Sequence, residues 1–262
     1  MIFSIVIPAY NEEDAIEAVA RRALSARGAI MAATPVDEVE IIVVSDGSTD
    51  RTVEIAARYA TEIVRLADNG TERESSEKGP ALAGPGLRLI HYTKNRGFGA
   101  ALKAGCAQAR GELIGTLDAD DTYDPLDFPA LLNQTLDDNL DLAIGGRMNS
   151  AEMTSLRRLG NQAFATLINR LCGANITDAT SGMRVIRQSA LARLAPLPDG
   201  LHLAPAMTAK AILDPTLRVG EAPIRYYPRK GRSKLHPATD GWRFAWAILA
   251  AVLNDRRRRA RG

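Results

Sequence analysis

Leu113-Ile114-Gly115-Thr116-Leu117-Asp118-Ala119-Asp120 is an apolar run that closes on two acids one residue apart. In an extended segment, residues i and i+2 point the same way, so both carboxylates can reach one divalent cation. Hard oxygen donors of this kind suit Mg²⁺ or Mn²⁺. A cation held with open coordination positions can neutralise charge building on a diphosphate leaving group. Two acids at the end of a strand are also a common surface turn, and alone the triplet does not separate the two readings.

Outward from this run, short apolar stretches alternate with helical patterns. Strands are predicted over 3–7, 40–44, 87–92 and 113–117, and helices follow them over 12–27, 51–60, 98–110 and 126–137. Runs rich in Val and Ile, without polar alternation, suit strands covered on both faces. The repetition implies an α/β fold with a mostly parallel sheet and right-handed crossovers, flanked by helices. Ligands in such sheets gather at the carboxyl ends of the strands. Residues 67–86 turn polar and rich in Gly, Ser, Glu and Pro, which predicts an exposed, partly disordered loop. After Gly146 a helix is expected over 155–171, a short strand over 183–186, a helix over 203–213 and a strand pair near 217–227. The reading is one domain over 1–237, its halves 1–122 and 123–237, then an amphipathic helix and basic tail over 238–262.

The chain of 262 residues, 46% hydrophobic, can bury a full core. A net charge of +2 is too small to imply a polyanionic partner, and no nucleic acid is expected. Cys106 and Cys172 lack paired spacing and read as reduced thiols of a cytosolic protein. Met1-Ile2-Phe3-Ser4 lacks the charged start of a signal peptide. No apolar stretch reaches the 18 or so residues that span a bilayer. The expected location is cytoplasmic, either free or peripheral at the inner face of the membrane.

Three further motifs fall at predicted strand ends. Pro8-Ala9-Tyr10-Asn11-Glu12 places a ladder-stopping Pro8, a flat Tyr10 face suited to a nucleobase, and Asn11 as a cap for the next helix. In Ser45-Asp46-Gly47-Ser48-Thr49-Asp50, Ser48 and Asp50 suit capping, which leaves Asp46 to accept from the imide N–H of uracil or guanine. Lys94-Asn95-Arg96-Gly97-Phe98-Gly99-Ala100-Ala101 enters a helix through glycines. Those glycines suit either a phosphate cradle or close packing of the helix on the sheet.

Together, in this order, the four segments resemble the family-2 inverting glycosyltransferases of the GT-A (Rossmann-like) fold. The family's patterns are Pro-x-Tyr-Asn-Glu, Asp-Gly-Ser-x-Asp, Lys-Asn-x-Gly-x-Gly-x-Ala and Asp-x-Asp. Ser45 departs from the pattern, since many members carry another Asp there. The second half narrows the resemblance to the dolichyl- or polyprenyl-phosphate hexose synthases. The segments concerned are Gly145-Gly146-Arg147, Arg157-Arg158-Leu159-Gly160-Asn161, Asp178-Ala179-Thr180-Ser181-Gly182-Met183-Arg184 and Tyr227-Pro228-Arg229-Lys230-Gly231-Arg232-Ser233-Lys234.

The resemblance implies metal-dependent inverting transfer of a hexose from GDP-mannose or UDP-glucose to a polyprenyl or dolichyl phosphate. Pro8, Tyr10, Glu12, Asp46, Lys94 and Asp118 would hold the nucleotide, and Asp118 and Asp120 the Mg²⁺ or Mn²⁺. Arg147, Arg157, Asn161, Ser181, Arg184, Arg229, Ser233 and Lys234 would bind phosphate and acceptor, because guanidinium forks match phosphate oxygens and Lys acts as a point charge. Asp178 is expected to orient Arg184 or a neighbouring cation, with a direct catalytic role open. A phosphate monoester, with a second pKa about 6, is already ionised near neutrality and needs no strong general base. Catalysis would rest on positioning and charge stabilisation. His91, His202 and His236 lie outside the motifs and receive no role. The alternatives are a family-2 enzyme acting on a hydroxyl acceptor, and a non-catalytic nucleotide-binding membrane adaptor.

Trp242, Phe244, Trp246, Ile248, Leu249, Val252 and Leu253 form an apolar stretch between Arg243 and the arginines at 256–259 and 261. Both tryptophans of the protein lie here, which suits a helix at the headgroup boundary. A helix docked on the core or on a second copy is the competing expectation.

Overall fold

The computed structural model describes residues 1–80, 86–147, 153–229 and 234–260. In chain order the elements are β1 (Ile2–Ala9), α1 (Ile16–Ala33), β2 (Glu38–Asp46), α2 (Thr52–Ala57), β3 (Ala60–Leu66), β4 (Arg73–Lys78), β5 (Leu87–Tyr92) and α3 (Phe98–Gln108). Then come β6 (Leu113–Thr116), α4 (Phe128–Asp137), β7 (Leu142–Gly146), α5 (Ser155–Cys172), β8 (Arg184–Arg187), α6 (Gln188–Arg193), α7 (Leu203–Leu213), β9 (Val219–Pro223) and α8 (Pro237–Arg259). The strands form one mixed sheet in the order β4-β3-β5-β2-β1-β6-β8-β7-β9. Pairing is parallel except at β3–β4, β6–β8 and β7–β8.

Alternation along the strands explains the layers. Ile5, Ile7, Ile41, Val43 and Leu89 point to one face and pack on α1, α2 and α4 through Ile16, Ala20, Ile55, Leu131 and Leu132. Val6, Ile42, Val44, Ile90 and Ile114 point to the other face, under α3, α6 and α7. A third apolar cluster joins α5 and α8 across α7 through Ile168, Ile176, Ala209, Ile248 and Ala251. The mostly parallel sheet flanked by helices is the fold the sequence predicts.

Several local expectations are corrected. Residues 67–86 are not one loop. β3 precedes them, and β4 lies within them, pairing antiparallel with β3. Arg73–Glu62 at 2.6 Å and Arg65–Glu74 at 3.0 Å tie that edge. β4 is exposed throughout, so its side chains carry no apolar periodicity to reveal it. Near 217–227 only β9 forms a strand, followed by an isolated bridge between Tyr123 and Tyr226. Asn11 does not cap α1. The carbonyl of Glu12 first closes a turn with Ala15 and Ile16, and the Asn11 amide oxygen accepts from Thr49 N at 2.8 Å instead. The β1–α1 and β2–α2 loops are thereby stitched together, with Glu12 N donating to Thr52 Oγ1 at 2.8 Å and Glu13 N to Asp50 at 3.1 Å.

Candidate active site

The carboxyl ends of β1, β2 and β6 open into a cavity of about 840 Å³. Its walls include Pro8, Tyr10, Glu12, Asp46, Asp118, Asp120, Arg147, Arg157, Asn161, Arg229 and Lys234, so most of the expected site residues converge. They are brought together by parallel strands that end at one edge of the sheet.

The acidic pair sits at the floor. Asp120 is buried, and its Oδ1 accepts from Thr122 N at 3.2 Å and Thr122 Oγ1 at 2.6 Å. Its Oδ2 accepts from Arg229 Nη1 at 2.8 Å. Asp118 Oδ1 is buried and has no hydrogen-bond partner among the described residues. Desolvation, with the Asp120 charge adding to it, pushes the Asp118 carboxyl up to about 7. No cluster of three or more His, Cys, Asp or Glu side chains stands ready for a metal among the described residues. A partnerless buried carboxylate oxygen beside a second carboxylate does fit a Mg²⁺- or Mn²⁺-type ion that takes its remaining ligands from substrate phosphates and water.

Cations bracket this floor from both sides. Arg229 bridges Asp120 and Glu12, its Nη2 reaching Glu12 Oε1 at 2.8 Å. Lys234 Nζ donates to Glu12 Oε1 at 2.5 Å and to Asn11 O at 2.9 Å, and it also contacts Tyr10 O. Its ammonium stands 5.6 Å from the Tyr10 ring centroid. Burial nonetheless holds the Glu12 carboxyl above its ordinary range. On the other side, Arg147 grips Asp178 bidentately, Nε–Oδ2 at 2.6 Å and Nη2–Oδ1 at 2.9 Å. The Arg147 guanidinium lies 5.4 Å over the Tyr226 ring.

The geometry reassigns several residues. Of the two expected partners for Asp178, Arg184 or a neighbouring cation, it is the neighbour Arg147 that it orients, and Asp178 is fully buried outside the cavity wall. Burial would raise its carboxyl, but the Arg147 charge and hydrogen bonds outweigh this and hold it below the ordinary range, so it is not a base in contact with the cavity. Arg184 is buried and donates to Ser181 O at 2.8 Å, Thr208 Oγ1 at 2.9 Å and Ala179 O at 3.0 Å. Burial lowers it to about 10, and it braces the loop instead of lining the cavity. Ser181 is likewise buried against Met183 N at 3.3 Å. Lys94 is exposed and lies off the cavity wall. Two N–H groups of the glycine loop are already engaged, because Arg96 N and Gly97 N both donate to Asp46 at 2.8 Å. Close packing accounts for its glycines, since a Cβ on Gly99 would stand 2.3 Å from Pro198 O. Asp46 also accepts from Tyr92 Oη at 2.9 Å. Asn161 is spent on Thr177 O and Thr180 Oγ1 at 3.3 and 2.9 Å. Ser233 lies outside the described residues.

Four residues that shape the site were given no role from the sequence, although Gly182 lies within the 178–184 segment. Gly182 faces Asp118 so closely that a Cβ there would stand 2.3–2.5 Å from its carboxylate. Glu221 on β9 accepts from Thr177 N and Asp178 N, both at 2.7 Å, and so fixes the loop that carries Asp178. Tyr226 stacks edge-on against Tyr123 and under Arg147. Arg22 on α1 donates to Asp121 at 2.6 Å and to Tyr123 O at 3.2 Å, bracing the acid turn from behind. Asp121 holds a positive φ of 63° in that turn, which the Arg22 clamp helps to fix.

A mostly parallel α/β sheet with a paired-acid turn at the carboxyl ends of its strands defines the class. Solved structures of glucosyl-3-phosphoglycerate synthase from Mycobacterium tuberculosis share the fold, at TM-scores of 0.66 and 0.65 with 19% identity, over 97% of this chain and 79% of theirs. The profile of "Glycosyl transferase family 2" matches residues 4–195. The chain belongs to that family. A dodecaprenyl-phosphate galacturonate synthase of Rhizobium johnstonii is 30% identical over 87% of this chain and 59% of its own. A dolichyl-phosphate hexose transferase of Haloferax volcanii is 28% identical over 97% and 96%. The human dolichyl-phosphate beta-glucosyltransferase is 30% identical over 72% and 56%. This chain thus spans little more than half the length of several of the curated relatives it matches.

Proposed function

We propose that this protein transfers a hexose, with inversion, from a nucleotide diphosphate sugar to a polyprenyl phosphate. The observation that carries the reading is the cavity itself. An acidic floor at Asp118 and Asp120 lies between Arg229 and Arg147, and one continuous wall then turns apolar through Met153, Leu156, Phe164, Ala204, Leu235 and Phe244. A sugar nucleotide suits the polar end, and a prenyl chain suits the apolar end. Relatives named for dolichyl- and dodecaprenyl-phosphate substrates support the same assignment.

Tyr10 offers a face to the base, and Asp46 keeps acceptor capacity on Oδ2 toward an imide N–H. Asp118 and Asp120 would hold Mg²⁺ or Mn²⁺, as relatives of this fold solved with Mn²⁺ or Mg²⁺ and UDP suggest. Such an ion, when bound, screens the charge left on the diphosphate. Arg229 is placed to move from the carboxylates to donor phosphate, and Arg147, held flat by Asp178 and Tyr226, to receive the acceptor phosphate.

A hydroxyl acceptor would need a general base near the sugar. Asp178 is consumed by Arg147, and Asp240, which lines the cavity, accepts from His236 N at 2.8 Å at the start of α8. An acceptor that arrives already ionised suits this distribution. The direct test is a panel of UDP- and GDP-sugars with a short prenyl phosphate and Mg²⁺ or Mn²⁺, with products read by mass spectrometry. Transfer to a soluble sugar hydroxyl with none to prenyl phosphate would overturn the reading.

A further inference from the structure

We infer that the outward face of α8, with the first turns of α5, is a docking surface for an anionic lipid bilayer. α8 is amphipathic in an unusual sense, because it has two apolar faces. Phe244, Ile248, Ala251 and Val252 are buried against α5 and α7, with Phe164 and Phe244 rings 5.4 Å apart. The opposite stripe consists of Trp242, Trp246, half-buried Leu249 and Leu253, which fall on one side at helical spacing. Trp242 is 68% exposed, Trp246 56% and Leu253 45%. The two indoles stack at 6.4 Å, both largely exposed. Leu156 and Leu159 of α5 add further apolar surface, 69% and 65% exposed.

The choice of occupant rests on charge and continuity. Arg256 and Arg257 flank the C-terminal end of the stripe, Arg243 lies beside its start, and all three are exposed. Aromatic rings between arginines match an acyl–headgroup boundary that carries negative charge, whereas a protein interface core is depleted of charge. The stripe starts beside the cavity, since Gly241 and Arg243 on either side of Trp242 line the cavity wall together with Pro237 and Leu156 of α5. No helix among the described residues is long and apolar enough to cross a membrane, so α8 would lie in the plane of the surface. The use of this surface in delivering a lipid acceptor rests on the function proposed above. The surface itself rests on the stripe alone, so vesicle binding and transfer are read as separate experiments.

Trp242 and Trp246 are the only tryptophans, which makes their emission a direct reporter of the stripe. The full chain is mixed with phosphatidylcholine vesicles, with and without phosphatidylglycerol. Sedimentation with the anionic vesicles, blue-shifted emission and weakening by salt are expected. Arg256→Gln and Arg257→Gln should each weaken binding about five-fold. Trp242→Ser with Trp246→Ser should abolish it, at unchanged far-ultraviolet dichroism. A wild-type protein that stays in the supernatant with unshifted emission overturns the inference. So does vesicle binding unaffected by either pair of substitutions, or a concentration-dependent dimer that the tryptophan pair dissolves while vesicles are ignored.

Discussion

Gly182 and Asp118 stand in such close contact that residue 182 has no room for a side chain. A Cβ there would lie 2.3 Å from Asp118 Oδ2 and 2.4 Å from Oδ1. Gly182 N is also held, donating to Tyr123 Oη at 2.9 Å. Residue 182 cannot retreat, because Gly182 O also accepts from Thr116 Oγ1 at 2.5 Å. Gly182→Ala should therefore displace the Asp118 carboxylate. Displacing a reacting group by an ångström costs about 10²-fold in rate. Turnover in the proposed transfer should fall by that order, with a melting temperature within a few degrees of wild type.

Arg229 occupies Asp120 and Glu12 at 2.8 Å each, so a cation must displace a charge-assisted pair to use Asp120 fully. Such a bond contributes about 1.5–3 kcal/mol. Arg229→Ala should tighten Mn²⁺ binding by about tenfold or more on that scale, while transfer falls. Calorimetric titration of Mn²⁺ and a transfer assay on the same variant would separate the two. Weaker metal binding in the variant would contradict the competition.

Protons compete with the same ion. Burial raises the Asp118 carboxyl to about 7, so below that pH the native site holds a proton that the metal must expel. Mn²⁺ affinity should drop by about tenfold per pH unit below 7 and level off above 8. The stability of the metal-free protein runs the other way. Its folded form binds this proton more tightly than the unfolded chain, so this carboxyl stabilises the fold at low pH. That contribution is lost as pH rises from the ordinary carboxylate range toward 7. Titrations at three pH values, with melts at each, test both signs.

Arg184 and Arg147 should behave oppositely. Arg184→Ala leaves Ser181 O, Ala179 O and Thr208 without their buried donor. Leaving each buried acceptor unpaired costs about 1–3 kcal/mol, so three together cost about 3–5 kcal/mol at the low end. In a chain of this size that is a melting-point loss of about 6–20 °C. Arg147→Ala should spare stability more and weaken acceptor phosphate binding. Equal melting points with a selective binding defect in Arg184→Ala would restore it to the site.

Glu221 offers a test away from the cavity wall. Glu221→Gln keeps one acceptor for the 177–178 backbone, whereas Glu221→Ala removes both. The Ala variant should raise KM for the acceptor through a loosened Asp178–Arg147 pair, and Gln should recover part of the loss. Unchanged KM in both would limit Glu221 to a packing role.

The parallel core was legible in the sequence because Val- and Ile-rich runs have no other economical burial. The edge was not. β3 mixes Thr61, Glu62 and Arg65 with apolar residues, and β4 is wholly polar, so pairing through backbone hydrogen bonds leaves no hydropathy trace. The acidic floor and Glu12 were legible because each belongs to a local motif at a strand end, and Arg229 and Lys234 because the 227–234 segment resembles the family's. Arg184 was misplaced for a physical reason. A guanidinium that satisfies buried carbonyls and one that awaits a phosphate are the same letter, and only the three-dimensional accounting of donors separates them. Gly182, Glu221 and Arg22 act on residues 64, 43 and 99 positions away, beyond any local pattern.

The antiparallel seam of β6 and β8 pairs Thr116 with Arg184 in the middle of the sheet. A graft exchanged between relatives at residue 123 would tear a ladder from which both the acid turn and the Gly182 loop hang. The two halves of this chain are therefore not interchangeable cassettes.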